Sequence, residues 1–168
     1  MAKPVNMAAT TPSASPLFLR ESEIRRGIEL LYFGNSHITR SIDRGLAKQG
    51  LGRAHHRALY FIARKPDMPV SDLLALLAIT KQSLGRVLNE LIERGLLETR
   101  PGERDRRQRL LRLTAEGVAL EASLYEALRE RLSAAYSRAG QNAVSGFWAV
   151  LEGLIPAEEM SRVEGLRG

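Results

Sequence analysis

The stretch from Lys81 to Arg94 carries polar side chains of the types that bond to base edges and phosphates. Its apolar residues recur at helical spacing. Once that apolar face is removed, six residues are expected to point outward: Lys81, Gln82, Ser83, Gly85, Arg86 and Asn89. Arginine pairs with guanine, glutamine and asparagine pair with adenine, and lysine and serine bind bases or phosphates. Gly85 costs about 1 kcal/mol relative to alanine inside a helix, and close approach of a duplex would account for it. A solvated helix face is the alternative interpretation.

A dense arginine cluster follows, between Glu98 and Arg112. Six arginines against three acidic residues give this fifteen-residue window a net charge of +3, half of the chain's +6. The candidate contacts are Arg104, Asp105, Arg106, Arg107 and Arg109. Planar guanidinium groups at a hairpin tip suit the narrow, electronegative minor groove of a duplex. Asp105 is expected to be an internal partner that orients Arg107. A charged hairpin that only aids solubility is the alternative.

The three histidines are the other candidates for chemistry. His55 and His56 are sequence neighbours that point about 100° apart on a helix, so they do not readily share a metal ion. A metal site formed by His37, one of this pair and either Glu29 or Asp43 stays open, beside a histidine satisfied by a hydrogen bond and a pH-sensitive role. The chain has no phosphate-binding loop, nucleophile elbow or metalloprotease motif. We therefore expect no enzyme, no cofactor and no bound metal.

Two short helices must position the polar face. Ser71 is a suitable N-cap for a helix over residues 71–77, and Thr80 is a suitable N-cap for the next one. Gly95 ends that second helix where a left-handed residue is usually wanted. With only residues 78–79 between them, the pair predicts a helix-turn-helix.

A β-hairpin must position the arginine cluster. Residues 96–100 and 108–113 have the composition of strands, and the Pro-Gly pair at 101–102 is expected to turn the chain between them. The predicted fold class is mainly α with a small β-hairpin wing.

Amphipathic helices flank this region on both sides. Apolar stripes run through residues 24–46, 54–62, 120–136 and 144–154. The long stripes have little core nearby, so these helices must pack on each other or on a second subunit. The residues expected at such a subunit contact are Ile24, Ile28, Leu31, Leu132, Phe147 and Leu151.

The composition is that of an ordinary globular protein: 168 residues, 44% hydrophobic, with a pI of about 10.2 that makes polyanions plausible partners. The absence of cysteine excludes disulfides, thiolate metal sites and thiol-based redox sensing. No apolar run reaches the ~20 residues that span a bilayer, and residues 1–16 lack a signal sequence's apolar core. A cytoplasmic location and no membrane partner are expected, with residues 1–16 as a flexible tail.

These residues together resemble a MarR-family transcriptional regulator, which is a winged helix-turn-helix dimer. The resemblance covers about residues 20–155. It is carried by residues 51–59, by VSDLLALL (70–77), by ITKQSLGRVLNELIERGLL (79–97) and by the wing GERDRRQRLLRLT (102–114). Asp105-Arg106-Arg107 matches the family's Asp-x-Arg signature.

The resemblance implies a homodimer held by the first helix and the last two. It implies palindromic double-stranded DNA bound by two recognition helices and two wings, and repression relieved by a small molecule or another signal. The domain organisation that we predict is a disordered tail (1–16), an N-terminal dimerisation helix (17–49), a winged helix-turn-helix domain (50–114), C-terminal dimerisation helices (115–156) and a frayed end (157–168).

An effector pocket for an anionic aromatic molecule needs a cation and apolar walls. The residues expected to supply them are Tyr32, His37, Arg40, His56 and Tyr60. Two other functions stay open: a protein-interaction module that uses the winged-helix scaffold without specific DNA binding, and an enzyme that uses the histidines.

Overall fold

The computed structural model describes residues 15–103 and 105–166, which form helices and a small three-stranded antiparallel sheet. After a 3-10 helix at Pro16–Leu19, the elements are α1 (Glu21–Lys48), α2 (Arg53–Arg64), β1 (Met68–Pro69), α3 (Val70–Leu77), α4 (Lys81–Glu93), β2 (Leu97–Pro101), β3 (Arg109–Leu113), α5 (Ala115–Ala139), α6 (Gln141–Gly153) and α7 (Ala157–Glu164). The predicted fold class is confirmed. Nearly all of the predicted flexible tail, and Arg104 of the predicted wing, lie outside the described residues.

The chain divides into two units, residues 1–37 and 38–168, which are described separately. In the first unit, Ser15 caps the 3-10 helix and α1 begins with Glu21 and Glu23 in its first turn, where acids favour a helix N-terminus. The apolar side chains of this unit are exposed: Leu17, Phe18, Leu19, Ile24, Ile28, Leu30, Leu31, Tyr32 and Phe33. Within the described residues, no helix combines the length and apolarity needed to cross a membrane.

The core of the second unit is built around α2. Its Ala58, Leu59 and Ile62 are almost fully buried, and α2 packs against α3, α4, α5 and β3. Leu124 of α5 closes one side of this core, where a β-carbon at Gly45 would lie 3.0 Å from the Leu124 side chain. Burial of the leucine and isoleucine side chains, each contributing about 1.5–3 kcal/mol, holds the helix-turn-helix against α2.

The helix-turn-helix forms as predicted, with one difference at its start. Strand β1 runs directly into α3, so Pro69 is the N-cap and no side chain caps this helix. The prediction that Ser71 is the N-cap is therefore wrong, because Ser71 lies inside the first turn. Ala78 ends α3 in the left-handed conformation, with φ at 50°, and Thr80 then caps α4.

The sheet has the order β1-β3-β2, with every neighbouring pair antiparallel. The two predicted strands are present within one residue of their expected bounds. Pro101 pairs with Arg109 inside the ladder, so the chain turns through residues 102–108 and not at the Pro-Gly pair itself. Strand β1 has only two residues, which is too short to show an alternating pattern in the sequence.

Helix α5 is fastened to the start of β2. Thr114 caps α5 by accepting a hydrogen bond from the Gly117 amide at 3.1 Å, and its hydroxyl donates to the Gly95 carbonyl at 2.6 Å. A β-carbon at Gly117 would lie only 2.0 Å from the Leu96 carbonyl oxygen. This close approach requires glycine at position 117.

The C-terminal part continues with α6 and α7. Gly140, with φ at 80°, separates α5 from α6, and Trp148 of α6 meets Tyr136 of α5 edge to face at a ring distance of 6.1 Å. The sequence predicts a frayed end over residues 157–168, whereas the structure has the two-turn helix α7. Just after α7, the Leu166 carbonyl accepts a hydrogen bond from Arg64 at 2.6 Å.

Candidate nucleic-acid interface

Helix α4 presents one apolar and one polar face. Its apolar face, comprising Leu84, Val87, Leu88 and Leu91, is buried as predicted. Five of the six residues expected to point outward are exposed: Lys81, Gln82, Ser83, Arg86 and Asn89. The Ser83 hydroxyl accepts a 2.9 Å hydrogen bond from Thr80, so this side chain also supports the N-cap.

Gly85, the sixth residue, is half-buried on the same helix. A β-carbon built there would meet no atom within 4 Å among the described residues. Internal packing therefore does not require glycine at this position, although glycine weakens the helix by about 1 kcal/mol relative to alanine. The open space lies on the face where a bound duplex would have to approach.

The wing, defined as β2, β3 and residues 102–108 between them, has a tightly bonded tip. The Gly102 amide donates to the Gln108 carbonyl at 2.8 Å, and the Gln108 amide donates to the Asp105 carbonyl at 2.9 Å. The Asp105 carboxylate accepts a 2.9 Å bond from the backbone amide of Arg107. Asp105 thus orients Arg107 through its backbone rather than through its guanidinium.

The wing arginines divide into paired and unpaired groups. Arg100 forms a 2.7 Å ion pair with Glu98. Arg112 donates two hydrogen bonds to Asp67 and lowers the pKa of that carboxyl. Arg106 and Arg107 are exposed and form no ion pair with any described residue. The cluster of six counted in the sequence thus contains two arginines that brace the wing and two that are free to bind a partner.

A cleft of about 380 Å³ joins α4 to the wing. Lys81, Gly85 and Asn89 line it from α4, and Arg107 and Arg109 line it from the wing. Arg109 also donates to the Thr99 hydroxyl at 3.4 Å. Part of the face predicted for the helix and part of the arginine cluster predicted for the wing therefore border the same cleft.

The same cleft contains a residue that the sequence analysis did not assign to it. Ser71 of α3 lines this cleft, together with its neighbours Val70 and Leu74. The sequence predicts its hydroxyl to be a helix cap, whereas in the structure this hydroxyl donates to the Asp72 carboxylate at 3.4 Å. No pattern in the sequence indicates this placement.

His55 and His56 have different surroundings on α2. The Nδ1 atom of His55 accepts from the Gly52 amide at 3.0 Å, and its Nε2 atom lies 2.8 Å from a Glu90 carboxylate oxygen. The Nε2 atom of His56 is buried without a hydrogen-bond partner among the described residues. Burial, and then the nearby charge of Arg57, lower the pKa of His56 below its ordinary value of 6.5.

A second cleft, the α2–α5 cleft, brings together part of the predicted effector pocket. It has a volume of about 380 Å³. It is lined by His56, Tyr60, Tyr125, Leu128, Arg129, Leu132, Ser133 and Tyr136. His56 and Tyr60 are thus neighbours, with ring centroids 6.3 Å apart. Arg40 is not among its lining residues, and the cation in the cleft is Arg129, which is bound to Glu126.

The other two residues predicted for the effector pocket, Tyr32 and His37, lie in the N-terminal unit, which is described by itself. Among the described residues, no three His, Asp or Glu side chains are grouped closely enough to hold a metal ion.

The fold and this surface define a winged helix-turn-helix protein. The profile of the MarR family matches residues 49–108. HTH-type transcriptional regulator PetP of Rhodobacter capsulatus is 49% identical over 139 residues, which cover 83% of this chain and 84% of PetP. The chain belongs to the MarR family of transcriptional regulators, and it is therefore a regulator and not an enzyme.

Solved structures share the fold at low sequence identity. A MarR-family transcriptional regulator from Silicibacter pomeroyi aligns with a TM-score of 0.66 at 18% identity, covering 84% of this chain and 94% of that one. A cysteine-to-serine variant of Escherichia coli MarR in complex with operator DNA aligns with a TM-score of 0.62 at 23% identity, covering 84% and 100%. These likenesses confirm the winged-helix architecture.

Proposed function

We propose that this protein is a homodimeric, sequence-specific double-stranded DNA-binding regulator that represses transcription in the cytoplasm and is controlled by a small molecule. One observation carries the DNA-binding part: Lys81 and Asn89 of the exposed polar face of α4 border the same cleft as Arg107, an unpaired arginine of the wing. The E. coli MarR structure with operator DNA supports it by fold.

The two parts of this surface have different roles in the proposal. Gln82, Ser83, Arg86 and Asn89 contact base edges in the major groove, because these side chains offer the donors and acceptors that distinguish base pairs. Lys81, Arg106 and Arg107 bind phosphates or the minor groove, where positive charge supplies affinity without sequence preference. Arg104 belongs with them by its place in the sequence.

Association of two copies is supported by exposed apolar side chains on the terminal helices. In the N-terminal unit, Ile28 is 63% exposed, and in the second unit no residue of α6 is buried, with Phe147 at 41% and Trp148 at 52%. Exposed large apolar side chains on each of these helices favour contact with a partner surface. The proposed interface includes Ile24, Ile28, Leu31, Leu132, Phe147 and Leu151. A dimer with two-fold symmetry would bind a palindromic operator.

The α2–α5 cleft is the proposed effector site. Its volume suits a small ligand, its tyrosines supply aromatic walls, and Arg129, which is ion-paired with Glu126, is the cation that lines it. The unpartnered Nε2 of His56 is a polar group that a bound ligand could satisfy. Tyr32, His37 and Arg40 remain predictions for an effector pocket.

The test of DNA binding begins with duplexes selected from a random library by the full chain. Fluorescence anisotropy should give a Kd of about 10⁻⁸ M or lower for the selected duplex, weakening about a thousandfold between 50 and 200 mM salt. Arg86→Ala should reduce the preference for the selected sequence, whereas Arg106→Ala should weaken binding to all duplexes alike. Arg131→Ala, an exposed arginine on α5, is the charge-matched control. Failure to enrich any sequence would favour the protein-interaction module.

A further inference from the structure

The C-terminal half of α4 carries two charged residues that turn back toward its own subunit. Glu90 lies one helical turn before Arg94, the residue that caps the helix. Both contact the link between α1 and α2, residues 49–52, or the helix turn that follows it. Neither residue is needed for the DNA contacts proposed above, so their role has to be sought in these inward contacts.

The Glu90 contact is geometrically defined by the tautomer of His55. Because Nδ1 of His55 accepts a hydrogen bond from the Gly52 amide, the ring proton must lie on Nε2, which then donates to Glu90 at 2.8 Å. The His55 side chain is only 13% exposed. The bond therefore ties α4 to the first turn of α2 in one orientation.

The Arg94 contact ties the same helix to the end of α1. Its guanidinium donates to the Gln49 carbonyl at 2.5 Å and to the Gly50 carbonyl at 3.4 Å. These carbonyls follow the C-terminus of α1, where the helix dipole favours a cation. Gly50 has φ at 60°, and a β-carbon there would lie 3.4 Å from the guanidinium.

The segment that receives both contacts, residues 49–55, is itself held in place by an ion pair between α1 and α2. Arg53 at the start of α2 donates two hydrogen bonds to Asp43 of α1, at 2.9 and 2.7 Å. This pair lowers the pKa of the Asp43 carboxyl. Glu90 and Arg94 lie four residues apart on α4, and both bind this segment. Together they restrict the position of the helix and its rotation about its axis.

We propose that Glu90 and Arg94 are positioning residues that set the orientation of the recognition helix within its subunit, and so set the operator half-site spacing that the dimer accepts. This inference rests on the proposed dimeric DNA-binding function. Half-site spacing is a sensitive measure of orientation, because one added base pair moves a half-site by about 3.4 Å and rotates it by roughly 35°.

The experiment uses the full chain and the duplex selected by the wild-type protein, re-spaced between its half-sites by one base pair in either direction. The wild-type protein should prefer one spacing. Arg94→Ala and Glu90→Ala should reduce that preference, or shift its optimum, by about threefold or more. Arg94→Lys, which keeps one donor, and Glu90→Gln, which keeps an acceptor for His55, should restore most of it.

The control is Glu93→Ala, which removes an exposed charge from the same helix. It should leave the spacing profile unchanged. If the alanine variants lose affinity equally at all spacings, or keep the wild-type profile, the two residues only stabilise the fold and the inference is overturned. A wild-type protein that selects no duplex would instead overturn the proposed function together with the inference. If an alanine variant does not fold, Arg94→Leu and Glu90→Leu, which remove the bonding group but keep an apolar side chain, take its place, and full wild-type spacing preference in both would likewise overturn the inference.

Discussion

At the scale of single residues, glycine at position 85 lowers the stability of α4 but leaves its surface open to an approaching duplex. Because nothing lies within 4 Å of its missing β-carbon, Gly85→Ala should raise the free energy of unfolding by about 0.5–1 kcal/mol. The added methyl group should at the same time weaken binding to the selected duplex by about tenfold, since it occupies space that the duplex needs. Urea denaturation and fluorescence anisotropy measure the two effects. Equal or tighter DNA binding would contradict a close approach at Gly85.

His56 is the residue for which a pH dependence is expected. Burial lowers the pKa of His56, so the folded state resists protonation that the unfolded state accepts near its ordinary value of 6.5. The folded state favours neutral His56, and this preference contributes fully to the free energy of unfolding above pH 6.5. The contribution is lost as the pH falls through and below that value. Wild-type Tm should therefore drop between pH 7.5 and 5.5.

The variant His56→Phe removes both the titration and the unpartnered Nε2. We expect it to raise the stability at pH 7.5 by about 1 kcal/mol and to make the drop in Tm at pH 5.5 smaller. Thermal denaturation of both proteins at the two pH values makes the comparison. A drop that is as large in the variant would assign the pH dependence to other groups.

At the scale of elements, the glycine at the start of α5 has the opposite role to Gly85. A β-carbon at Gly117 would overlap the Leu96 carbonyl oxygen, so Gly117→Ala must push α5 away from β2. We expect it to destabilise the fold by about 2 kcal/mol or more, although alanine is the better helix former. Urea denaturation beside Gly85→Ala tests this contrast. Equal gains in both variants would mean that α5 adjusts freely.

The sequence was sufficient for the elements whose signals are local. The buried face of α4, the Thr80 cap and the two wing strands follow from spacing and from residue types that favour each conformation. The sequence was insufficient where a tertiary contact determines whether an element forms or what a side chain binds. Strand β1 exists because two residues pair with β3, and Arg94 acts through carbonyls more than forty residues away.

The same distinction applies to the candidate site. The outward residues of α4 could be predicted because subtracting an apolar stripe leaves them. Which wing arginines are paired could not be predicted, because Arg112 binds Asp67, a residue with φ at 60° in a turn that is distant in the sequence. The α2–α5 cleft could not be predicted either, since the packing of two helices brings Arg129, Tyr125 and His56 to the same cleft.

At the scale of the whole molecule, the exposed apolar surface should determine assembly. We expect the wild-type protein to sediment as a dimer at micromolar concentration. Phe147→Glu should shift it toward monomer, because a charge cannot be buried there without a partner. The loss of two-site binding should weaken DNA binding by about a hundredfold.

The control for this change is Val118→Glu, at an exposed apolar position in the first turn of α5 that is not among the six residues proposed for the interface. It should leave the sedimentation coefficient unchanged. A Phe147→Glu protein that remains a dimer would place the subunit contact on other helices.

Trp148, which pairs with Tyr136, can also serve as an intrinsic fluorescence probe of association. The chain contains one tryptophan, and its indole nitrogen donates to the Tyr136 hydroxyl at 3.2 Å while about half of its surface faces water. Its emission should therefore have one source, and covering α6 by a second copy should shift that emission to shorter wavelength. Association could then be followed by dilution of unlabelled protein, with no dye attached to either end of the chain.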